Sequence, residues 1–172
     1  MTDSSPVRLA GRDVLAFDVL PSTNDEAARL ARAGAREGTI VWALRQTAGR
    51  GRRGRSWTSA EGNLFVSLIL RPQAPPARAA ELSFVAALAV AETVDALNPG
   101  GPAALCKWPN DVLLGTGKIA GILLESEAGD GGEAAWVVVG VGVNLAGRPL
   151  DVERPAAALP EPKAPSAALE IL

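Results

Sequence analysis

Twelve residues, QTAGRGRRGRSW at 46–57, hold four arginines and three glycines. Arginine presents a planar fork of donors that matches carboxylate and phosphate. Glycines at 49, 51 and 54 let backbone N–H groups close on such an anion, and they keep the segment from being a stable helix. A second cluster, KWPNDVLL at 107–114, sets a cation, an aromatic ring and two polar side chains around Pro109. Pro-Asn-Asp is turn chemistry in its own right. Yet Lys107 ends the apolar run before that turn and Lys118 opens the run after the next one, and these are two of only three lysines in the chain. A third element, GVGVN at 140–144, breaks a valine run with Gly140 and Gly142, which share a strand face. Same-face glycines suit either a flat object lying on the strand or a closely packed helix, and the spacing leaves both open. The combined inventory suits a mobile loop that closes on a small anionic intermediate.

Local patterns predict the elements that would carry these groups. STNDEAARLARAG (22–34) reads as a helix capped by Ser22 or Thr23. Thr23 and Glu26 have capping-box spacing, Ala27, Leu30 and Ala31 form the apolar stripe, and Gly34 is the stop. TIVWAL (39–44) and NLFVSLIL (63–70) read as strands, and PQAPPA (72–77) as a breaker. A long helix follows at about 79–97, with Leu82, Val85, Ala86, Ala89, Val90, Val94 and Leu97 on its inner face. NPGGP (98–102) ends it. ALCKW (104–108) and DVLL (111–114) are short strands, and GTG (115–117) turns into the strand KIAGILLES (118–126). A polar Gly-rich loop at 128–133 leads to AAWVVVGVGVNL (134–145), an apolar run typical of a strand buried on both faces. Residues 1–21 receive no element. The segment 146–172 carries five prolines and seven alanines, and SAALEIL (166–172) resembles the first two turns of a helix. Helices and hairpin-linked strands in this order predict an α+β domain with a mixed or antiparallel sheet.

Composition removes whole classes of mechanism. The chain has 172 residues, enough for one domain with a full core, and no histidine. A Ser-His-Asp triad, a Cys-His pair and an HExxH zinc site are therefore excluded. The net charge of −2 supplies no global field for a polyanion. The single Cys106 forms no internal disulfide, fits a reducing compartment and is expected as a small buried hydrophobe. Neither a signal peptide nor a membrane-spanning run is visible, so the expected location is cytoplasmic.

GRGRRG at 49–54 satisfies G-x-G-x-x-G, but RSWTSAEGN follows it and starts no helix, so the dinucleotide fingerprint fails on context. The chain contains no H-R-D or D-F-G, against a kinase loop, and Val112 occupies the position where a Walker A glycine would precede Gly117-Lys118. RNA binding through 45–57 would rest on one basic cluster with one aromatic, Trp57, which is few phosphate contacts for useful affinity in physiological salt.

STN at 22–24, QTAGRGRRGRSW at 46–57, KWPNDVLL with GKIAGILLE within 107–125, and GVGVNL at 140–145 occur in the order and approximate spacing of the biotin–protein ligases. The chain resembles that family over about residues 14–145. The resemblance implies a catalytic domain, here 1–150, like that of class II aminoacyl-tRNA synthetases. It implies that biotin and MgATP form biotinoyl-5′-AMP with release of pyrophosphate. Biotin then passes to a lysine of a biotin carboxyl-carrier domain of a biotin-dependent carboxylase. By the same resemblance Ser22, Thr23, Asn24 and Gln46 lie by the biotin rings. Arg50, Gly51 and Arg52 close over biotin and its activated carboxylate. Trp57 and Asn110 lie near adenine. Lys107 and Asp111 lie near the phosphates and Mg2+, Lys118 contacts the biotin carboxylate and the acyl-phosphate, and Gly121, Gly140 and Gly142 line the floor. Arg50, Arg52, Lys107 and Lys118 are the expected catalytic groups, while Arg53 and Arg55 are expected at the rim. Many family members carry an N-terminal DNA-binding domain, for which the 21 residues before Ser22 leave no room. Most carry a C-terminal SH3-like barrel, which the Pro/Ala-rich tail at 151–172 does not resemble. No membrane partner is expected, and a homodimer through the sheet edge is compatible with the family. The competing readings are a lipoate– or octanoate–protein ligase of the same fold, against which the missing histidine counts, an RNA-binding module, and a biotin-binding remnant without turnover.

Overall fold

The valine run becomes the centre of the sheet. The computed structural model describes residues 5–9 as backbone, 12–150 and 154–172. Its strands are β1 (Ser5–Leu9), β2 (Arg12–Leu20), β3 (Ile40–Gln46), β4 (Leu64–Leu70), β5 (Ala104–Lys107), β6 (Asp111–Leu114), β7 (Gly117–Ala128) and β8 (Ala134–Val143). They form one eight-stranded sheet in the order β1-β2-β3-β4-β8-β7-β6-β5. The β2–β3 pair is parallel and the other neighbours are antiparallel. The parallel pair needs a crossover, which α1 (Thr23–Arg32) supplies. The short α2 (Pro76–Ala79) and the long α3 (Leu82–Leu97) connect β4 to β5, and α4 (Pro165–Ile171) ends the chain.

Strand parity divides the molecule into two cores. On β8, Val137, Val139, Val141 and Val143 join Val90 and Val94 of α3 and Leu169 of α4. Trp136 and Val138 point the other way, onto Ala27, Ala28 and Ala31 of α1. Full burial of a side chain such as Val90 or Val94 contributes about 1.5–3 kcal/mol relative to leaving it exposed. Helix α1 is fixed at both ends. Ser22 Oγ accepts from the Asp25 amide at 3.4 Å, and Gly34 sits beyond the C-cap with φ of 87°. The Arg71 guanidinium donates to the carbonyls of Ala31, Ala35 and Ala135 at 2.8–2.9 Å, tying the end of α1 to β8.

Several expectations change. Strand β2 lies in the stretch left without an element. Its buried residues Val14, Phe17 and Leu20 are three apart and hide the alternation. The helix expected over 79–97 breaks after Ala79 and restarts at Leu82. Its buried set is Ala87, Val90, Ala91, Thr93, Val94 and Leu97, while Val85 is 62% exposed. The α3 sequence is apolar on nearly every side, so no unique stripe specified its face. Cys106 is exposed rather than buried, because β5 is the sheet's outer strand. That strand stops at Lys107, which leaves Trp108 in the turn, and the Trp108–Pro109 bond is cis. The tail folds back on the domain. The backbone of Lys118 exchanges hydrogen bonds with Pro155 and Ala157, and Leu159, Ala168 and Leu169 enter the α3 core. Among the described residues no helix is long and apolar enough to cross a membrane.

Candidate active site

Cross-strand register builds the floor. Lys107 pairs with Asp111, Asp111 with Gly121, Gly121 with Gly142, and Gly142 with Phe65. These residues form one row across five strands, with neighbours roughly 4.8 Å apart and side chains on one face. It is the face that carries α1. Two residues along, the parallel row holds Leu123, Gly140 and Ser67, and there the start of α1 packs down. One row thus places a cation, a carboxylate and two glycines side by side, beside a helix start whose Ser22, Thr23 and Asn24 are all buried.

The two readings of the same-face glycines are both realised, one at each residue. A Cβ at Gly140 would collide with the Asn24 amide, so this glycine serves close helix packing. A Cβ at Gly142 would stand 2.7–2.9 Å from three atoms of the Trp57 indole, and one at Gly121 would stand 3.0 Å from the same ring. The flat object on this part of the floor is the chain's own tryptophan. Its Nε1 is buried against that floor without a hydrogen-bond partner.

The Arg/Gly segment forms a narrow loop. Arg50 and Ser56 make an antiparallel bridge, the Gly51 amide donates to the Arg55 carbonyl at 2.7 Å, and Arg52–Gly54 form a single 3-10 turn. Arg50 Nη2 donates to Asp25 Oδ1 and lies 3.1 and 3.2 Å from the two oxygens of Glu125. Arg52 Nη1 donates to Asn110 Oδ1 at 3.2 Å, and Asn110 Nδ2 donates to the Ile122 carbonyl at 2.6 Å. Gln46 Oε1 accepts from the Thr23 amide at 2.8 Å and the Thr23 hydroxyl at 3.2 Å, while its Nε2 donates to Ser59 at 3.1 Å. Lys118 Nζ lies 2.6 Å from Asp111 Oδ1 and 5.1 Å from the centre of the Trp57 ring.

One cavity of about 710 Å³ takes in every residue expected at the site: Ser22, Thr23, Asn24, Gln46, Arg50, Gly51, Arg52, Trp57, Lys107, Asn110, Asp111, Lys118, Gly121, Gly140 and Gly142. Arg53 and Arg55 also line it and are exposed, as Arg50 and Arg52 are, so exposure does not set the two apart as rim residues. Sequence reasoning missed Asp25, Ser59, Ser67 and Glu125, which hold the site residues, and Asn144, which lines the cavity. A signal existed for Glu125: it shares parity with Gly121 on a strand already assigned to the floor. Ser67 carried no such signal, because its role depends on β4 lying next to β8. Among the described residues no group of three or more Asp, Glu, His or Cys side chains could hold a metal by itself. Asp111 is, among the described residues, the carboxylate that lines the cavity, and a single carboxylate completed by substrate phosphates is a usual site for Mg2+.

Residues 16–144 match the profile of the biotin/lipoate A/B protein ligase family. A biotin–[acetyl-CoA-carboxylase] ligase of Paracoccus denitrificans is 56% identical over 131 residues, covering 74% of this chain and 52% of that protein. The bifunctional ligase/repressor BirA of Escherichia coli is 41% identical over 146 residues, covering 84% of this chain and 44% of its own length. The chain thus spans about half the length of the curated relatives it matches. Biotin protein ligase of Leishmania major in complex with biotinyl-5-AMP superposes with a TM-score of 0.76 at 26% identity, covering 92% of this chain and 70% of that one. The Aquifex aeolicus biotin protein ligase in complex with biotin and ATP superposes with a TM-score of 0.72 at 27% identity, covering 92% and 68%. The mixed sheet, the helices on its two faces and the matched span agree: this chain belongs to the biotin/lipoate A/B protein ligase family.

Proposed function

We propose that this chain activates biotin with ATP and transfers it to a lysine of a biotin carboxyl-carrier domain of a biotin-dependent carboxylase. One observation carries the reading. Arg50, Arg52, Lys107 and Lys118 line a single cavity with a glycine floor, next to a buried polar helix start. The chain has no histidine, and this reaction needs none. A carboxylate is already a nucleophile; the protein has to hold two anions together and stabilise the charge that develops between them.

In the first step a biotin carboxylate oxygen bonds to the α-phosphorus of ATP, the bond from that phosphorus to the bridging oxygen breaks, and pyrophosphate leaves. In the second the acceptor amine attacks the acyl carbon, the carbon–oxygen bond of the mixed anhydride breaks, and AMP leaves. Ser22, Thr23, Asn24 and Gln46 seat the biotin rings. Arg50, Gly51 and Arg52 close over the carboxylate. Lys118, held between Asp111 and the Trp57 face, meets the biotin carboxylate and then the acyl-phosphate. Trp57 and Asn110 flank adenine, and Lys107 meets the phosphates. Asp111 would hold Mg2+, which when bound neutralises phosphate charge. Residues 1–150 carry every residue given a role here, and 154–172 complete the unit by packing on α3 and the backbone of Lys118. The reaction belongs in the cytoplasm, and the exposed edge strand β5 leaves room for a homodimer.

Calorimetry with biotin, followed by mass spectrometry after MgATP is added, tests the reading. Saturable biotin binding and a species with the mass of biotinoyl-AMP are expected. Binding of lipoate in preference to biotin would transfer the chain to the other branch of the family. Binding of single-stranded RNA with no affinity for biotin would overturn the reading.

A further inference from the structure

The two ends of the Arg/Gly loop are tied to consecutive residues at the start of α1, one end to each. At the far end, Thr23 binds Gln46, Gln46 binds Ser59, and the Ser59 hydroxyl donates to the Trp57 carbonyl at 3.2 Å. At the near end the tie runs through Asn24. Its Oδ1 accepts from Ser67 at 2.6 Å, and its Nδ2 donates to the Leu123 carbonyl at 3.2 Å and to Glu125 Oε2 at 2.8 Å. A carboxylate only accepts, so Glu125 fixes which way the Asn24 amide is turned. The same carboxylate holds Arg50. Glu125 is thus the link between a buried amide in the cavity and the arginine at the loop's entrance.

We propose that Glu125 is a positioning residue that couples recognition of biotin at Asn24 to closure of the Arg/Gly loop. The identity of the ligand rests on the function proposed above; the latch itself does not. Both donors of the Asn24 amide are engaged and one lone pair of its Oδ1 is open. A ligand N–H donating there polarises the amide and strengthens its bond to Glu125, which holds that carboxylate where it receives Arg50, so binding and closure favour each other. Side chains of Arg50, Glu125 and Asp25 are 43%, 35% and 54% exposed, so the latch is weak enough to open between turnovers. Glu125→Gln preserves an acceptor for Asn24 and removes the charge that holds Arg50. Asp25→Asn removes the other carboxylate on Arg50 and leaves the Asn24–Glu125 bond in place.

Trypsin reads the loop directly, since it can cut after Arg50, Arg52, Arg53 and Arg55 only when the loop opens. The full chain is digested briefly with and without biotin, and fragments ending at 50–55 are quantified. Without biotin, Glu125→Gln is expected to be cut about fivefold faster than wild type, the size of a lost half-exposed ion pair when cleavage follows the open population. Asp25→Asn is also cut faster, but biotin still protects it by the wild-type factor. In Glu125→Gln that protection factor falls toward one. Wild-type cutting of Glu125→Gln without biotin would overturn the latch, and an undiminished protection factor would overturn the coupling. If Glu125→Gln does not fold, Glu125→Asp, which keeps the charge but shortens its reach to Asn24 and Arg50, is read by the same two measures with the same outcomes. Failure of biotin to protect wild type at all would refute the functional reading and the coupling, while the ligand-free rates still judge the latch.

Discussion

Gly140 and Gly142 are two residues apart on one face of β8, yet replacing each with alanine should produce different results. Relieving a mid-strand glycine of its conformational freedom contributes about 0.5–1 kcal/mol toward stability in either variant. Against that stands the collision each new methyl group makes. At 140 the methyl meets the Asn24 amide, which is 4% exposed and held by Ser67, Leu123 and Glu125, so nothing can retreat. Overpacking of this kind costs about 1–3 kcal/mol, and displacing the amide leaves hydrogen-bonding groups unpaired at about 1–3 kcal/mol more. Gly140→Ala should therefore lose roughly 1–5 kcal/mol net, a large fraction of the margin of a small domain. At 142 the methyl meets the Trp57 ring at 2.7–2.9 Å, where about 3.5–4 Å is comfortable. That ring belongs to a surface loop and can move by about an ångström, so stability should change by less than about 1 kcal/mol. The loop should shift instead, exposing the indole. Urea unfolding gives the stabilities, and tryptophan emission, with Trp57→Phe as reference, reports the ring. Equal destabilisation of the two variants, or unchanged Trp57 emission in Gly142→Ala, would refute the reasoning.

Lys118→Ala should slow adenylate formation by roughly 100-fold or more, the loss seen when an oriented electrostatic stabiliser is removed; a near-normal biotin-dependent ATP–pyrophosphate exchange rate would remove Lys118 from the chemistry. Asn63→Ala should destabilise the fold by about 2–3 kcal/mol, because its buried Oδ1 accepts from the amides of Leu145, Ala146 and Gly147 and alanine leaves them unpaired; a urea midpoint equal to wild type would contradict this. Amide exchange across 49–57 should slow when biotin and MgATP are added, and equal protection in both states would show that the loop does not close on the ligand.

The residues of the candidate site were legible in the sequence because side-chain type and strand parity are local. Arginine forks, two lysines around one hairpin and same-face glycines needed no knowledge of what lies across the sheet. What could not be read depends on strand order. Cys106 looks like a core residue until β5 is known to be the outer strand, and Ser67 looks like an ordinary strand serine until β4 is placed beside β8. Strand β2 was hidden because its buried positions, 14, 17 and 20, do not alternate, and the face of α3 because almost every face is apolar. The glycine pair shows the limit most clearly. Parity gives the face of Gly140 and Gly142 but not what covers each, and the register sets Gly140 beneath the first turn of α1 and Gly142 one pleat beyond it. A helix start fills the first place with a buried side chain. The second is left to a loop, and a loop side chain on a glycine floor can yield to a ligand where a buried amide cannot. The difference between a glycine locked under a helix start and one under a loop ring in this strand is therefore a distance of two residues along β8, set by where the crossover helix begins.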